Sequence, residues 1–213
     1  MDIKTLKKWD SAAFTYDFMA GFGEERRWRP HKTRLFSAME GRILFVAVGT
    51  GLDICSFPPG KDITGIDISP RMLEKAAPRA AAYPGEMTLR QVDVHEMSFA
   101  SGAFDQVYTS CTFCSVPDPI QGLIKLRRVL KPGGHLRMFE HTGSRLFPFG
   151  AMLNVMNPVF RKFGPEINRD TVANVREAGF ELRKVTNIFL DVVKTIEATA
   201  PSLHLPSTIR RAF

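Results

Sequence analysis

The sequence has few of the features of secreted or membrane-spanning proteins. Its three cysteines are too few and too clustered to form a disulfide framework in 213 residues. Its longest apolar run, residues 43–48, is far shorter than the roughly 20 residues that span a bilayer. The N-terminus is polar and basic, and no apolar signal-peptide core follows it. We therefore expect the protein to stay in the cytoplasm.

The composition is that of an ordinary globular protein. Hydrophobic residues make up 44% of the chain and charged residues 24%, which excludes disordered and collagen-like classes. The length suits one good-sized core, so we expect a single domain over residues 1–213. The net charge of +7 favours an anionic partner, which could be nucleic acid, an acidic metabolite or a membrane surface. The alternative is that the charge merely aids solubility.

Short apolar runs alternate with helical patterns from Gly41 onward. This alternation is typical of βαβ units and a parallel sheet. The predicted strands cover residues 43–48, 62–68, 87–92, 104–109 and 136–139. Two later runs, 180–186 and 188–196, predict a terminal β-hairpin.

Capping residues predict where two helices begin. Ser69-Pro70 and Asp118-Pro119 each place a capping side chain before a proline at the first helical position. The second helix is expected to carry Leu130 on its buried side. A Lys-Pro-Gly-Gly turn then leads into the fifth strand.

Two stretches lie outside this alternation. Residues 1–40 have a helical pattern in which Lys4, Lys7 and Lys8 accompany apolar side chains. Residues 145–165 form an apolar insert flanked by Arg145, Arg161 and Lys162. Both would suit contact with an anionic membrane, since apolar burial and attraction between opposite charges act together there. The alternatives are that the first stretch simply covers a cofactor and the second roofs a pocket for an apolar substrate.

Three strand ends carry residues that suit a nucleoside cofactor. In doubly wound sheets, ligands bind beyond the carboxyl ends of the strands. Gly49 and Gly51 follow the first strand and would let backbone N–H groups approach a ligand. Asp67 ends the second strand, where an acid accepts hydrogen bonds from ribose hydroxyls. Asp93 ends the third strand, placed to meet an adenine amino group.

These motifs resemble those of class I S-adenosylmethionine-dependent methyltransferases. They are Val48-Gly49-Thr50-Gly51, Gly65-Ile66-Asp67-Ile68-Ser69, Val92-Asp93-Val94, Phe104-Asp105-Gln106-Val107 and Leu130-Lys131-Pro132-Gly133-Gly134. The resemblance covers residues 41–141. It implies an α/β, Rossmann-like fold with a mostly parallel seven-stranded sheet, a terminal antiparallel hairpin and a helical N-terminal lid. It also implies S-adenosylmethionine as the cofactor, bound by Val48, Gly49, Thr50, Gly51, Asp67, Ile68, Asp93, Val94 and Ser110.

The glycine loop departs from the family pattern at two positions. Phe45 stands where an acid is expected, and Ala47 stands where a glycine is expected. The acid normally helps to anchor the methionine part of the cofactor, so that contact must come from elsewhere. NAD is a rival cofactor, but its fuller glycine fingerprint is absent. A cofactor-binding partner subunit without catalysis is an alternative that the two departures make conceivable.

Segments 112–119, 126–130 and 139–141 narrow the resemblance to bacterial phospholipid N-methyltransferases. This implies methylation of phosphatidylethanolamine at the inner membrane face, with successive steps through to phosphatidylcholine as one form of the reaction. Related thiol S-methyltransferases and quinone C-methyltransferases remain alternatives. A nucleic-acid partner is not expected, because aromatic and basic residues do not interleave.

Two residues are candidates for catalysis. His141 follows the fifth strand and could accept a proton from the acceptor or orient its amine. Tyr16 resembles the tyrosine that closes over the cofactor in such enzymes. Cys111 and Cys114 have the spacing of a redox or metal pair, but no second pair completes a zinc site. We expect no metal and interpret them as wall residues of the pocket.

Overall fold

The computed structural model describes residues 2–20, 24–163 and 166–202, without the side chains of residues 19, 20, 24, 25 and 161–163. Its strands are β1 (Arg42–Val46), β2 (Asp62–Asp67), β3 (Glu86–Gln91), β4 (Phe104–Ser110), β5 (Leu130–His141), β6 (Glu181–Phe189) and β7 (Val193–Thr199). They form one sheet in the order β3-β2-β1-β4-β5-β7-β6. The first five strands are parallel, and β7 runs antiparallel to both β5 and β6. The predicted Rossmann-like fold is confirmed.

Helices cover both faces of the sheet. They are α1 (Ile3–Ala12), α2 (Tyr16–Ala20), α3 (Glu24–Phe36), α4 (Pro70–Ala81), α5 (Pro119–Val129), α6 (Phe149–Phe163) and α7 (Thr171–Glu177). Both predicted helix starts are confirmed, because Ser69 accepts a hydrogen bond from the Met72 N–H and Asp118 accepts one from the Gln121 N–H. In the described ranges, no helix has the length and apolarity to cross a membrane.

The core is divided between the two faces of the sheet because successive strand residues point in opposite directions. Leu44 packs in the cluster that includes α5, whereas Phe45 packs in the cluster that includes α3. The Phe45 ring lies 5.6 Å from that of Phe36 and 4.9 Å from that of Phe57, measured between centroids. Position 45 is therefore an apolar core position on this face.

The predicted boundary between α5 and β5 is wrong. Leu130 was expected on the helix, but it is the first residue of β5 and pairs with Phe104 of β4. The next pair along joins Gln106 to His135, so the Lys-Pro-Gly-Gly segment bulges between two points of pairing. The strand therefore starts six residues before the predicted one.

The predicted turn of the terminal hairpin is also displaced. β6 continues through Asn187 to Phe189, and the chain turns at residues 190–192. Asn187 pairs with Lys194, whose ammonium donates to the Asn187 side chain at 2.9 Å. Leu190 takes a positive φ of 46° in the turn. The polar Asn187 therefore belongs to the ladder.

Glu140, near the end of β5, joins this strand to the loop after β4. Its side chain is completely buried and accepts hydrogen bonds from the Thr109 hydroxyl at 2.6 Å and the Phe113 N–H at 3.1 Å. The Thr112 N–H also donates to it, at 3.3 Å. Burial raises the pKa of this carboxyl to about 7, although the hydrogen bonds act in the opposite direction.

We predict that Glu140→Gln flattens the dependence of stability on pH. Between the ordinary pKa of 4.5 and the raised value, the folded carboxyl keeps a proton that the unfolded chain releases. The free energy of unfolding of the wild type should therefore fall as pH rises through this window, by at most about 1.4 kcal/mol per pH unit from this group. Urea denaturation at pH 5, 6, 7 and 8 measures the slope.

The matched control is Glu86→Gln, at an exposed position where β3 begins. This variant should retain the wild-type slope. If Glu140→Gln also retains it, the raised pKa of Glu140 is contradicted.

Candidate active site

A cavity lies beyond the carboxyl ends of the parallel strands, with about 790 Å³ of space including its opening to solvent. Its wall includes residues that follow four strands, namely Gly49 after β1, Ile68 after β2, Asp93 after β3 and Cys111 after β4. Seven of the predicted site residues lie on this wall: Tyr16, Gly49, Asp67, Ile68, Asp93, Val94 and Ser110. The fold therefore brings most of the predicted cofactor residues to one place.

Three predicted cofactor residues do not line the cavity. They lie behind the glycine loop and determine its shape. The Val48 side chain is buried in the core, and its N–H donates to the Ile66 carbonyl at 3.0 Å. Thr50 is 1% exposed. Gly51 has φ +83°, and a Cβ there would lie 2.9 Å from Ile54 and 3.2 Å from Ala76. Gly51 therefore serves the packing of the loop against α4.

Asp67 holds the glycine loop while facing the cavity. One carboxylate oxygen accepts from the Gly49 N–H and the other from the Ser69 N–H, each at 2.9 Å. Burial raises the pKa of this carboxyl against the effect of these hydrogen bonds. Each oxygen retains a further lone pair, so the carboxylate has capacity left for hydroxyl donors of a ribose.

Asp93 contacts protein groups that the sequence did not reveal. One oxygen accepts from the His95 N–H at 3.0 Å and lies 2.9 Å from the His95 Nδ1, and the other accepts from the Asp2 N–H at 3.0 Å. Although burial acts to raise it, the pKa of Asp93 is lowered, because the hydrogen bonds from His95 and Asp2 outweigh burial. Asp93 therefore stays ionised and ties α1 to the end of β3.

Helix α1 covers part of the cavity. Asp2 caps its start, and Asp10 near its other end accepts a hydrogen bond from the Ser69 hydroxyl. Thr5 and Trp9 lie between them on the cavity wall. The Trp9 ring meets that of Tyr16 edge-on, with 6.4 Å between centroids. The helical N-terminal stretch thus contributes its own side chains to the site.

Tyr16 and the Cys111 thiol lie at the β4 side of the cavity, and the Cys114 thiol is buried three residues further along the chain. Burial raises the pKa of the Tyr16 hydroxyl, so at neutral pH this group donates hydrogen bonds and does not act as a base. Desolvation raises the pKa of the Cys111 thiol well above its ordinary value although this residue is exposed, and burial raises that of Cys114 to about 12. Neutral thiols are poor nucleophiles and metal ligands. Cys111 lies on the cavity wall as expected, whereas Cys114 is buried and does not line the cavity.

His141 is the last residue of β5 and is half-buried beside Val193 of β7. It does not lie on the cavity wall, although it shares the sheet edge at which the cavity opens. Its predicted role in catalysis stays a prediction.

The cavity fits S-adenosylmethionine in its hydrogen-bond donors and acceptors. Asp93 and Asp67 follow the adjacent strands β3 and β2, where the adenine and ribose would lie. Further along, the buried Ser110 hydroxyl has no hydrogen-bond partner among the described residues. An unpaired buried hydroxyl is unfavourable, and a polar ligand in the cavity would satisfy it.

We predict that Asp67→Ala weakens binding of S-adenosylhomocysteine, the demethylated cofactor, by about 1–3 kcal/mol. The variant loses the acceptor for ribose hydroxyls and releases the Gly49 N–H. Titration calorimetry checks this, with Asp62→Ala at the exposed start of the same strand as the control. Unchanged affinity in a folded Asp67→Ala protein would contradict the assignment.

Comparison with known proteins identifies the family. A family model described as a methyltransferase domain matches residues 44–138. A ubiquinone/menaquinone biosynthesis C-methyltransferase of Geotalea daltonii is 34% identical over 178 residues, which cover 75% of this chain and 76% of the relative. A phosphatidylethanolamine N-methyltransferase of Cereibacter sphaeroides is 31% identical over 154 residues, which cover 70% and 72%. Across the first five curated relatives, the matched region spans 60% to 76% of their own length.

Solved structures agree with the sequence comparisons on the fold. The crystal structure of an S-adenosylmethionine dependent methyltransferase from Mesorhizobium loti superposes with a TM-score of 0.62 at 17% identity, covering 81% of this chain and 97% of that one. The order of strands, the carboxylates at their ends and these relatives have one consistent explanation. The chain belongs to the class I methyltransferase family, and S-adenosylmethionine is its methyl donor.

Proposed function

We propose that the protein methylates a ring carbon of a quinone-type acceptor that carries an apolar tail. The observation that carries this proposal is the 34% identity over 178 residues to a quinone C-methyltransferase. The match to a phosphatidylethanolamine N-methyltransferase is shorter and weaker, at 31% over 154 residues. The expectation that phosphatidylethanolamine is the acceptor therefore becomes the second candidate.

The chemistry of Tyr16 supports a quinol acceptor over an amine. A ring carbon becomes nucleophilic when a neighbouring hydroxyl loses its proton, which leaves negative charge on that oxygen. A protonated tyrosine hydroxyl on the cavity wall can donate to this oxygen and stabilise it. The same donor would occupy the lone pair that an amine needs for attack.

An apolar surface beside the site suits an acceptor with a long tail. Helix α6 follows β5, so it lies at the sheet edge where the cavity opens. Its exposed side chains are largely apolar, with Val155 79% and Val159 57% exposed, and Phe147 before it 90% exposed. This surface would receive the tail or the lipid layer that contains it.

The same surface supports a peripheral position on an anionic membrane. Residues 145–163 contain three cations and no acid, which complements anionic head groups. Of these cations, Arg145 is exposed, and the side chains of Arg161 and Lys162 lie outside the described residues. Lys4 and Lys7 on α1 are also exposed. Burial of the α6 face would add to their attraction.

The acceptor is tested with the purified protein and radiolabelled S-adenosylmethionine. Three acceptors are offered separately: a chemically reduced demethylated quinone with a short prenyl tail, phosphatidylethanolamine in mixed micelles, and a small aromatic thiol. We expect label on the quinol ring at a rate at least ten times that of the other two. Preferential labelling of the lipid or the thiol would replace the proposal, and no labelling with intact cofactor binding would favour a non-catalytic subunit.

We predict that His141→Ala lowers turnover by roughly 10²–10⁴, the range for a positioned acid–base group. A neutral imidazole at the sheet edge would accept the proton that the acceptor must lose. Affinity for S-adenosylhomocysteine should barely change, because His141 is off the cavity wall. Turnover against pH with the quinol, beside calorimetry, measures both. Near-normal turnover would remove His141 from the mechanism.

We predict that membrane binding depends on the exposed cations and on α6 together. Lys4→Gln with Lys7→Gln should weaken sedimentation with anionic vesicles, and added salt should weaken binding of the wild type. The double substitution Val155→Ser with Val159→Ser should weaken sedimentation even in high salt, because the contribution of α6 comes from apolar burial. The control is Lys131→Gln, near the start of β5 and so at the edge of the sheet opposite the cavity. If none of these substitutions alters sedimentation, the N-terminal segment and the α6 segment would serve only to cover the site.

A further inference from the structure

A buried ion pair lies between α3 and the glycine loop. The Lys32 ammonium is 2.8 Å from a carboxylate oxygen of Asp53, in the 3₁₀ helix after Gly51, and the two side chains are 9% and 12% exposed. Taking two charges out of water costs about as much as their attraction returns, so such a pair is a weak source of stability. Its position beside a ligand cavity is a reason to consider a role in binding.

The pair lies close to the β4 side of the cavity, although neither Lys32 nor Asp53 is itself on the described cavity wall. The Lys32 ammonium is 5.7 Å from the centroid of the Phe139 ring, and the Phe139 carbonyl accepts from the Cys111 N–H at 2.7 Å. Lys32 is also the charge with the largest effect on the pKa of the Cys111 thiol, and both Lys32 and Asp53 act on that of Tyr16. Tyr16 and Cys111 line the cavity.

The order of the strands fixes which end of the cofactor meets this wall. The nucleoside would lie over β3 and β2, at Asp93 and Asp67. The amino-acid end must then extend over β1 and β4, toward Ser110 and Cys111. That end is a zwitterion, with one ammonium and one carboxylate.

The residue that usually serves this end in the family is missing here. Phe45 occupies the position of the expected acid and is 1% exposed among other aromatic rings. A phenylalanine offers neither charge nor hydrogen bond, so another acid must pair with the ligand ammonium. Asp53, eight residues later, is a buried acid on the same loop region, and Lys32 adds the opposite charge.

We propose that Lys32 and Asp53 bind the amino-acid end of S-adenosylmethionine, with Lys32 facing its carboxylate and Asp53 facing its ammonium. The pair then replaces the acid that Phe45 displaces. Without ligand, the ammonium of Lys32 and the carboxylate of Asp53 pair with each other. With ligand bound, each also contacts the oppositely charged group of the zwitterion. This proposal concerns the cofactor alone and does not depend on which acceptor is methylated.

Two ligands separate this role from a merely structural one. S-adenosylhomocysteine has the amino-acid end, whereas 5′-methylthioadenosine has the same nucleoside and thioether without it. We expect Asp53→Asn and Lys32→Met each to weaken S-adenosylhomocysteine binding by roughly 10- to 100-fold, the range of a charge-assisted hydrogen bond. Binding of 5′-methylthioadenosine should change less than threefold. Titration calorimetry on the full chain measures both ligands.

The control pair is Arg42→Met and Asp62→Asn, which removes an exposed ion pair at the opposite edge of the sheet. Both ligands should bind these variants as they bind the wild type. Equal weakening of the two ligands in the Lys32 and Asp53 variants would make the pair structural and overturn the proposal, as would no weakening of either. If Lys32→Met does not fold, Asp53→Asn, which preserves side-chain shape, decides alone.

Discussion

The carboxylate of Asp67 is the interaction on which the site depends. It accepts hydrogen bonds from Gly49 in the loop after β1 and from Ser69 at the start of α4, so one group joins three segments. Ser69 in turn caps α4 and donates to Asp10 of α1. A continuous set of hydrogen bonds therefore runs from the glycine loop to the helix that covers the cavity. Separating these segments would leave a buried carboxylate without donors, which is strongly unfavourable.

Local signals in the sequence predict most of the fold, and long-range pairing explains where they fail. The caps at Ser69 and Asp118 act within four residues, so their helices begin where predicted. Leu130 joins β5 because it pairs with Phe104, a residue 26 positions earlier, and no local pattern contains that information. Asn187 resembles a turn residue, but pairing with Lys194 retains it in the ladder.

The residues of the candidate site also fall into those that the sequence could predict and those that it could not. Asp67 and Asp93 could be predicted because each follows its own strand, and parallel strands end at one edge. The contact of Asp93 with His95 is also local, because Asp93 caps the 3₁₀ turn that contains His95. The position of Lys32 could not be predicted, because it depends on how α3 packs against the sheet. The sequence did contain one signal for Asp53, the partner of Lys32, since an acid missing at position 45 is a reason to look for an acid elsewhere.

The two ends of the cavity place different demands on the chain. The nucleoside end needs fixed acceptors, and Asp67 and Asp93 are fixed by hydrogen bonds from the protein itself. The proposed acceptor is apolar, so the other end of the cavity must admit an apolar molecule and still control one proton. A neutral group such as Tyr16 suits it, because a charged wall would have to lose water each time an apolar substrate entered. On this argument the charges of Lys32 and Asp53 belong with the cofactor zwitterion, and the apolar face of α6 belongs with the substrate.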